Sequence, residues 1–201
     1  MNSTGEKIIM WKRSLLRWGT VAVLAYPCWL AMMAIHELGH VLHAWLSGGR
    51  VASIHFGLFE FSETELSSNP HPQFVAWGGP IWGCLIPLMG YALVLKLRAV
   101  RLQRLLGFFA GFCLIVNGGY IGIGWIDGVG DAGTLLRHGA SRWAMALGGL
   151  AAMAGGMYLW HRVESHHVTN TASSVLFSTS GNAPRGSDHL PGRCLSSRGL
   201  G

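Results

Sequence analysis

A chain of 201 residues in which half the residues are hydrophobic and only 12% are charged is too apolar for an ordinary soluble domain, in which about a quarter are charged. Its formal charge is +6, but the cations sit at the ends of apolar runs and do not form a stripe, so the basic balance reads as membrane flanks and nucleic-acid binding is not expected. Cys28, Cys84, Cys113 and Cys194 include no close pair, which argues against a disulfide framework or a cysteine zinc site; they read as small buried side chains.

From the N-terminus, Lys7, Lys12, Arg13 and Arg17 form a basic arm over residues 1–17. The apolar stretch Trp18 to Leu46 follows, long enough to be retained as a span and not removed as a signal peptide. Inside it lies His36-Glu37-Leu38-Gly39-His40. A helix turns about 100° per residue, so histidines four apart share a face on which two imidazoles can hold one zinc ion. Glu37 stands beside them, close enough to take a proton from water at the metal. With the His and Glu content of this chain the pattern H-E-x-x-H arises by chance only roughly 0.015 times. Its depth is the stronger argument, because ionisable groups in hydrocarbon each cost about 2.5 to 3.5 kcal/mol and a bound metal would compensate them. His43 falls near the same face, but about 10 Å along the axis from His36, which makes it a neighbour of the site and not a shared ligand.

Gly48-Gly49 ends the first helix, and the alternation of Ala52, Ile54, Phe56 and Leu58 with Ser53, His55 and Gly57 predicts a short strand or hairpin. A polar loop with Glu60, Glu63 and Glu65 leads to Pro70-His71-Pro72, and Gly78-Gly79-Pro80 predicts an irregular start to the next span. Phe74 to Leu95, Leu105 to Ile126 and Trp143 to Trp160 contain no Asp, Glu, Lys or Arg, and each is long enough to cross a bilayer. The expected fold is therefore an all-α multi-pass membrane protein of about four transmembrane helices, with a short strand or hairpin after the first. Lys96, Arg98, Arg101 and Arg104 lie between the second and third spans, on the same side as the N-terminal cations, which puts both termini in the cytoplasm. Gly107/Gly111, Gly118/Gly122 and the row Gly148, Ala152, Gly156 predict close helix packing. The core is expected over residues 18–162, and the Ser-, Gly- and Thr-rich tail over 163–201 reads as disordered.

A third metal ligand follows from parity. The first span carries its histidines towards its exit, and the third span, running in the same direction, exits at Asp127-Gly128 and Asp131-Ala132-Gly133. Either carboxylate could complete a two-His, one-carboxylate set with a position open for water. The other use of such residues is as loop or capping carboxylates.

HELGH in an apolar segment, the Gly-Gly-Arg strand, the Gly-Gly-Pro of the second span and the Asp-Gly region after the third together resemble the site-2 protease family of intramembrane zinc metalloproteases, over roughly Ala25 to Ala140. The resemblance implies a zinc cofactor held by His36, His40 and an aspartate, with Glu37 as general base. Gly130-Asp131-Ala132-Gly133 is similar to the family's Asp-Gly-Gly, which favours Asp131 over Asp127, although the proline expected after Asn117 is missing. Asn117 itself would bind substrate backbone or else join helices. The implied activity is hydrolysis of peptide bonds in or near transmembrane segments of membrane proteins, by an integral multi-pass enzyme of the plasma membrane. The strand from Val51 to Phe59 would hold an unwound substrate by main-chain pairing. The rival readings are a non-hydrolytic membrane adaptor and a transporter using the same His and Asp residues. The charge pattern puts the histidines towards the non-cytoplasmic half and the resemblance puts them nearer the cytosol. Substrate identity and oligomeric state are not encoded in any motif.

Overall fold

In the computed structural model, residues 3–57, 60 and 62–180 are described. The element order is α1 (Ser3–Leu46), β1 (Arg50–His55), β2 (Glu63–Ser68), α2 (Pro72–Lys96), α3 (Val100–Gly124), α4 (Gly130–Arg137) and α5 (Arg142–Ser180). The chain divides into two units, residues 1–164 and 165–201. The expected helical spans all fall on helices and the expected hairpin is present. The short α4 falls where Gly130 to Leu136 resembles an Asp-Gly-Gly followed by a helix start, and it becomes decisive for the site.

Two helices among the described residues, α2 and α3, are long and apolar enough to cross a membrane. They carry large exposed apolar side chains such as Met89, Leu93 and Leu105, and α5 adds Trp143, Leu147 and Leu150. An apolar surface of this extent fits contact with lipid and not with water. These observations support membrane association.

Local chemistry explains the boundaries. Helix α1 stops where Gly48 adopts φ of 77° and the Gly49 amide donates back to the Ala44 carbonyl at 2.7 Å, a left-handed cap that a Cβ would disfavour. The antiparallel pair β1–β2 follows directly. Its register shifts on either side of Val51, so the inward alternation expected of Ala52 and Ile54 is broken: Val51, Ser53 and Ile54 are half-buried while Ala52 is exposed. Helix α2 starts at Pro72, where the missing amide costs no helical hydrogen bond. It then runs without interruption through Gly78, Gly79 and Pro80, contrary to the irregular start expected there. The two glycines serve packing: a Cβ on Gly39 would collide with the Gly78 carbonyl, and one on Gly78 with the Gly39 carbonyl, so α1 and α2 touch backbone to backbone.

The pairing of α3 with α5 uses the same device through the expected Ala152, against Gly118, and Gly156, against Gly111, with Gly149 taking the place of Gly148. Gly118 and Gly122 lie against Gly149, not Gly148, and Gly111 lies against Gly156 and Trp160. Trp160 also stacks on Phe108 and donates its indole N–H to the Phe108 carbonyl at 2.8 Å. Cys28, Cys84 and Cys113 are free thiols, whereas Cys194 lies outside the described residues. Helix α5 extends to Ser180, past residue 163 where composition predicts disorder; lengthening an existing helix needs no new nucleus. Residues 181–201 lie outside the described residues.

Candidate metal centre

Helix α1 presents His36 and His40 on one face, as their spacing requires, and both are buried. Their rings stand edge to face with centroids 4.9 Å apart. The third arm comes from α4. Ala132, Leu135 and Leu136, at helical spacing, dock this helix into a cluster with Ala76, Ile121 and Met145, and the burial of Leu135 and Ala132 is complete. That anchorage turns Asp131, in the first turn of α4, towards α1. Asp131 Oδ2 lies 2.9 Å from His36 Nε2 and 3.2 Å from His40 Nε2. One ligand atom from each of the three residues falls within 4.8 Å of the others. Asp127 is exposed and takes no part in the cluster, so of the two aspartates it is Asp131 that meets the imidazoles.

The hydrogen bonds behind the rings determine which nitrogens face Asp131. His36 Nδ1 donates to Asn117 Oδ1 at 2.7 Å, and the Asn117 amide is oriented in turn by donation from Nδ2 to the Cys113 carbonyl at 2.9 Å. His40 Nδ1 donates to the Val75 carbonyl at 2.8 Å. With Nδ1 protonated on both rings, a neutral imidazole presents the Nε2 lone pair, the tautomer that ligates metals. Two lone pairs directed at one carboxylate oxygen repel unless positive charge lies among them. That charge can be a second proton on each ring or a cation. Burial alone would raise the Asp131 carboxyl, but the hydrogen bonds from His36 and His40 outweigh it and hold the group at about 2.

The floor of the cluster is backbone. A Cβ added to Gly79 would strike Nε2 of both His36 and His40, so the glycine leaves the space in which these nitrogens converge. Tyr120, one turn beyond Asn117 on α3, supports the opposite side. Its hydroxyl oxygen accepts the Asp131 backbone N–H at 3.1 Å, and its ring meets that of His36 edge to face. Gly130, at φ of 59°, brings the α4 backbone so close to the Tyr120 hydroxyl that a side chain there would collide with it. His43 keeps to the periphery: it donates through Nδ1 to the Phe74 carbonyl at 2.7 Å and stacks on the Phe74 ring. His40 and His43 thus tie α1 to consecutive carbonyls in the first turn of α2.

Glu37 is only 3% exposed, and both of its oxygens are occupied by hydroxyl donors from the hairpin. Ser62 Oγ donates to Oε1 at 2.7 Å and Thr64 Oγ1 to Oε2 at 2.6 Å. Two cavities meet here. A polar cleft of about 520 Å³ is bordered by His36, Glu37, His40, Thr64 and Asp131. A smaller cavity of about 50 Å³, lined by Met32, Met33 and Val116, reaches His36 and Glu37 from the apolar side. The polar cleft and the apolar cavity therefore adjoin at His36 and Glu37.

A profile of the Peptidase M50B-like family matches residues 8–126, more than half of the chain. The chain belongs to the Peptidase M50B-like family. No curated protein and no solved structure shows significant similarity to it. The family match covers the HELGH motif, the hairpin, Gly79 and Asn117, and it supports a peptidase-type function. It ends at Ile126, before Asp131, so the third arm of this M50B-like centre rests on the geometry of α4.

Reasoning from sequence missed Ser62, Thr64, Tyr120 and the carbonyl of Val75. Of these, only Tyr120 had a usable signal, its position three residues after Asn117 and so on the same helical face.

Proposed function

We propose that this chain is an intramembrane zinc metalloendopeptidase, integral to the plasma membrane with several crossings, that cleaves peptide bonds in or near the transmembrane segments of membrane proteins. The observation carrying this reading is the convergence of His36 Nε2, His40 Nε2 and Asp131 Oδ2 beside the buried carboxylate of Glu37. The donor set fits zinc, with two neutral imidazoles, one carboxylate and a cleft left open to a further ligand. His36, His40 and Asp131 would hold the ion, which when bound supplies Lewis acidity towards water and towards a peptide carbonyl.

The remaining steps belong to the protein. Glu37 accepts a proton from the attacking water and returns it to the leaving amine. Asn117 and Val75 hold the imidazoles in the ligating tautomer. Asn117 already uses Oδ1 for His36 and Nδ2 for the Cys113 carbonyl, so contact with substrate backbone would draw on its second Nδ2 proton or the second lone pair of Oδ1. The sheet has two strands, so each has an outer edge on which an unwound substrate segment can pair. Proline in place of Ile54 should then lower cleavage.

The deciding experiment compares wild type and Glu37→Gln in proteoliposomes with apolar transmembrane peptides. Zinc-dependent cleavage by wild type, with at least about a thousandfold loss in Glu37→Gln and retained zinc, is the expected outcome. No cleavage by wild type would point to an adaptor or transporter, and full cleavage by Glu37→Gln would remove Glu37 as the general base; either result overturns the reading.

A further inference from the structure

The hydroxyl clamp on Glu37 has no counterpart in the metal set. A carboxylate at 3% exposure has to find its hydrogen-bond donors within the protein. Two of them come from the hairpin. Ser62, just before β2, and Thr64, within it, each donate to a different oxygen of the carboxylate, at 2.7 and 2.6 Å. These are short, charge-assisted bonds of the stronger kind. Because the two donors are two residues apart on an extended segment, they project to the same side, and together they fix both the position and the plane of the carboxylate. Each carboxylate oxygen has two lone pairs, so the clamp leaves one on each oxygen for a proton from water. Ser62 also lies where the polar cleft and the apolar cavity adjoin, bordering both.

We propose that Ser62 and Thr64 are positioning residues for the general base, aiming the Glu37 carboxylate from the hairpin while the helices independently aim the metal ligands. The proposal rests on the peptidase reading above and adds to it that the hairpin is part of the proton-transfer apparatus as well as a surface for substrate. Proton transfer is sensitive to displacements of the order of 1 Å. The carboxylate that makes the transfer would therefore depend on hydroxyls 25 and 27 residues away in sequence.

The test uses the full chain in zinc-loaded proteoliposomes with a library of apolar transmembrane peptides, comparing wild type, the double variant Ser62→Ala/Thr64→Val, and the hydroxyl-preserving double variant Ser62→Thr/Thr64→Ser. The expected result is a kcat about 10- to 100-fold lower in the first variant, with KM and zinc stoichiometry unchanged and recovery to within about threefold in the second. An infrared band assigned to Glu37 by its loss in Glu37→Gln should shift in the first variant and return in the second, a readout independent of turnover. A wild-type kcat in the first variant, a higher kcat, a loss confined to KM or zinc content, or an unmoved band would each overturn the proposal. If wild type cleaves no peptide, the peptidase reading falls and this proposal with it; if wild type cleaves and the double variants match it, only this proposal falls.

Discussion

Two neighbouring residues of α1, His36 and Glu37, are held by different parts of the molecule. The imidazole is braced by helices: Asn117 of α3 behind it, Gly79 of α2 beneath it and Asp131 of α4 in front. The carboxylate is braced by the hairpin, through the hydroxyls of Ser62 and Thr64. One side of the motif is thus built from the bundle and the other from a two-stranded excursion between α1 and α2. Metal holding and proton transfer should consequently be separable by mutation, although the residues responsible are adjacent.

The largest expected separation is between His40→Ala or Asp131→Ala and Glu37→Gln. The first two should abolish stoichiometric zinc, measured by elemental analysis of purified protein, and activity with it; the third should lose cleavage and keep the metal. Asp131→Ala retaining one zinc per chain would break the comparison at its helical side. Next comes Gly79→Ala, whose methyl would occupy the space of both Nε2 atoms. It should reduce zinc occupancy to near the level of the histidine variants while leaving the circular-dichroism spectrum of the helices intact.

A smaller effect is expected behind the ligands. Asn117→Ala removes the acceptor that fixes the His36 tautomer, and loss of such an outer partner typically lowers metal affinity about 10- to 100-fold. Competition with a chelator of known affinity would measure it. The smallest is Asp127→Asn, at an exposed carboxylate outside the cluster. It should leave zinc affinity within about twofold of wild type, where removal of a ligand would cost several kcal/mol; an effect as large as that of Asp131→Ala would reverse the ligand assignment.

How much of this was legible depended on whether the signal was periodic or three-dimensional. The helical face of His36 and His40, the apolar runs and the alternation after Gly49 are local properties of the sequence, and each corresponds to an element of the structure. Parity between helices brought the acidic region to the right end of the bundle. It could not choose between Asp127 and Asp131, because the choice depends on how α4 docks through Leu135 and Ala132. Ser62 and Thr64 were invisible for a different reason: hydroxyls in a polar loop are ordinary until the hairpin folds back over α1. The Val75 carbonyl has no side-chain signature at all, and the glycines of α2 looked like helix breakers because their partner, the backbone of Gly39, lies on another helix.

The meeting of two unlike cavities at Glu37 has one further consequence. In the proposed reaction the co-reactants come from phases that do not mix, a hydrolytic agent from the aqueous side and a greasy polymer from the oily side. The polar cleft and the methionine-lined recess offer each its own approach. Neither has to travel through the other's medium, and Glu37 stands with His36, Ser62 and Tyr120 at the boundary where they converge.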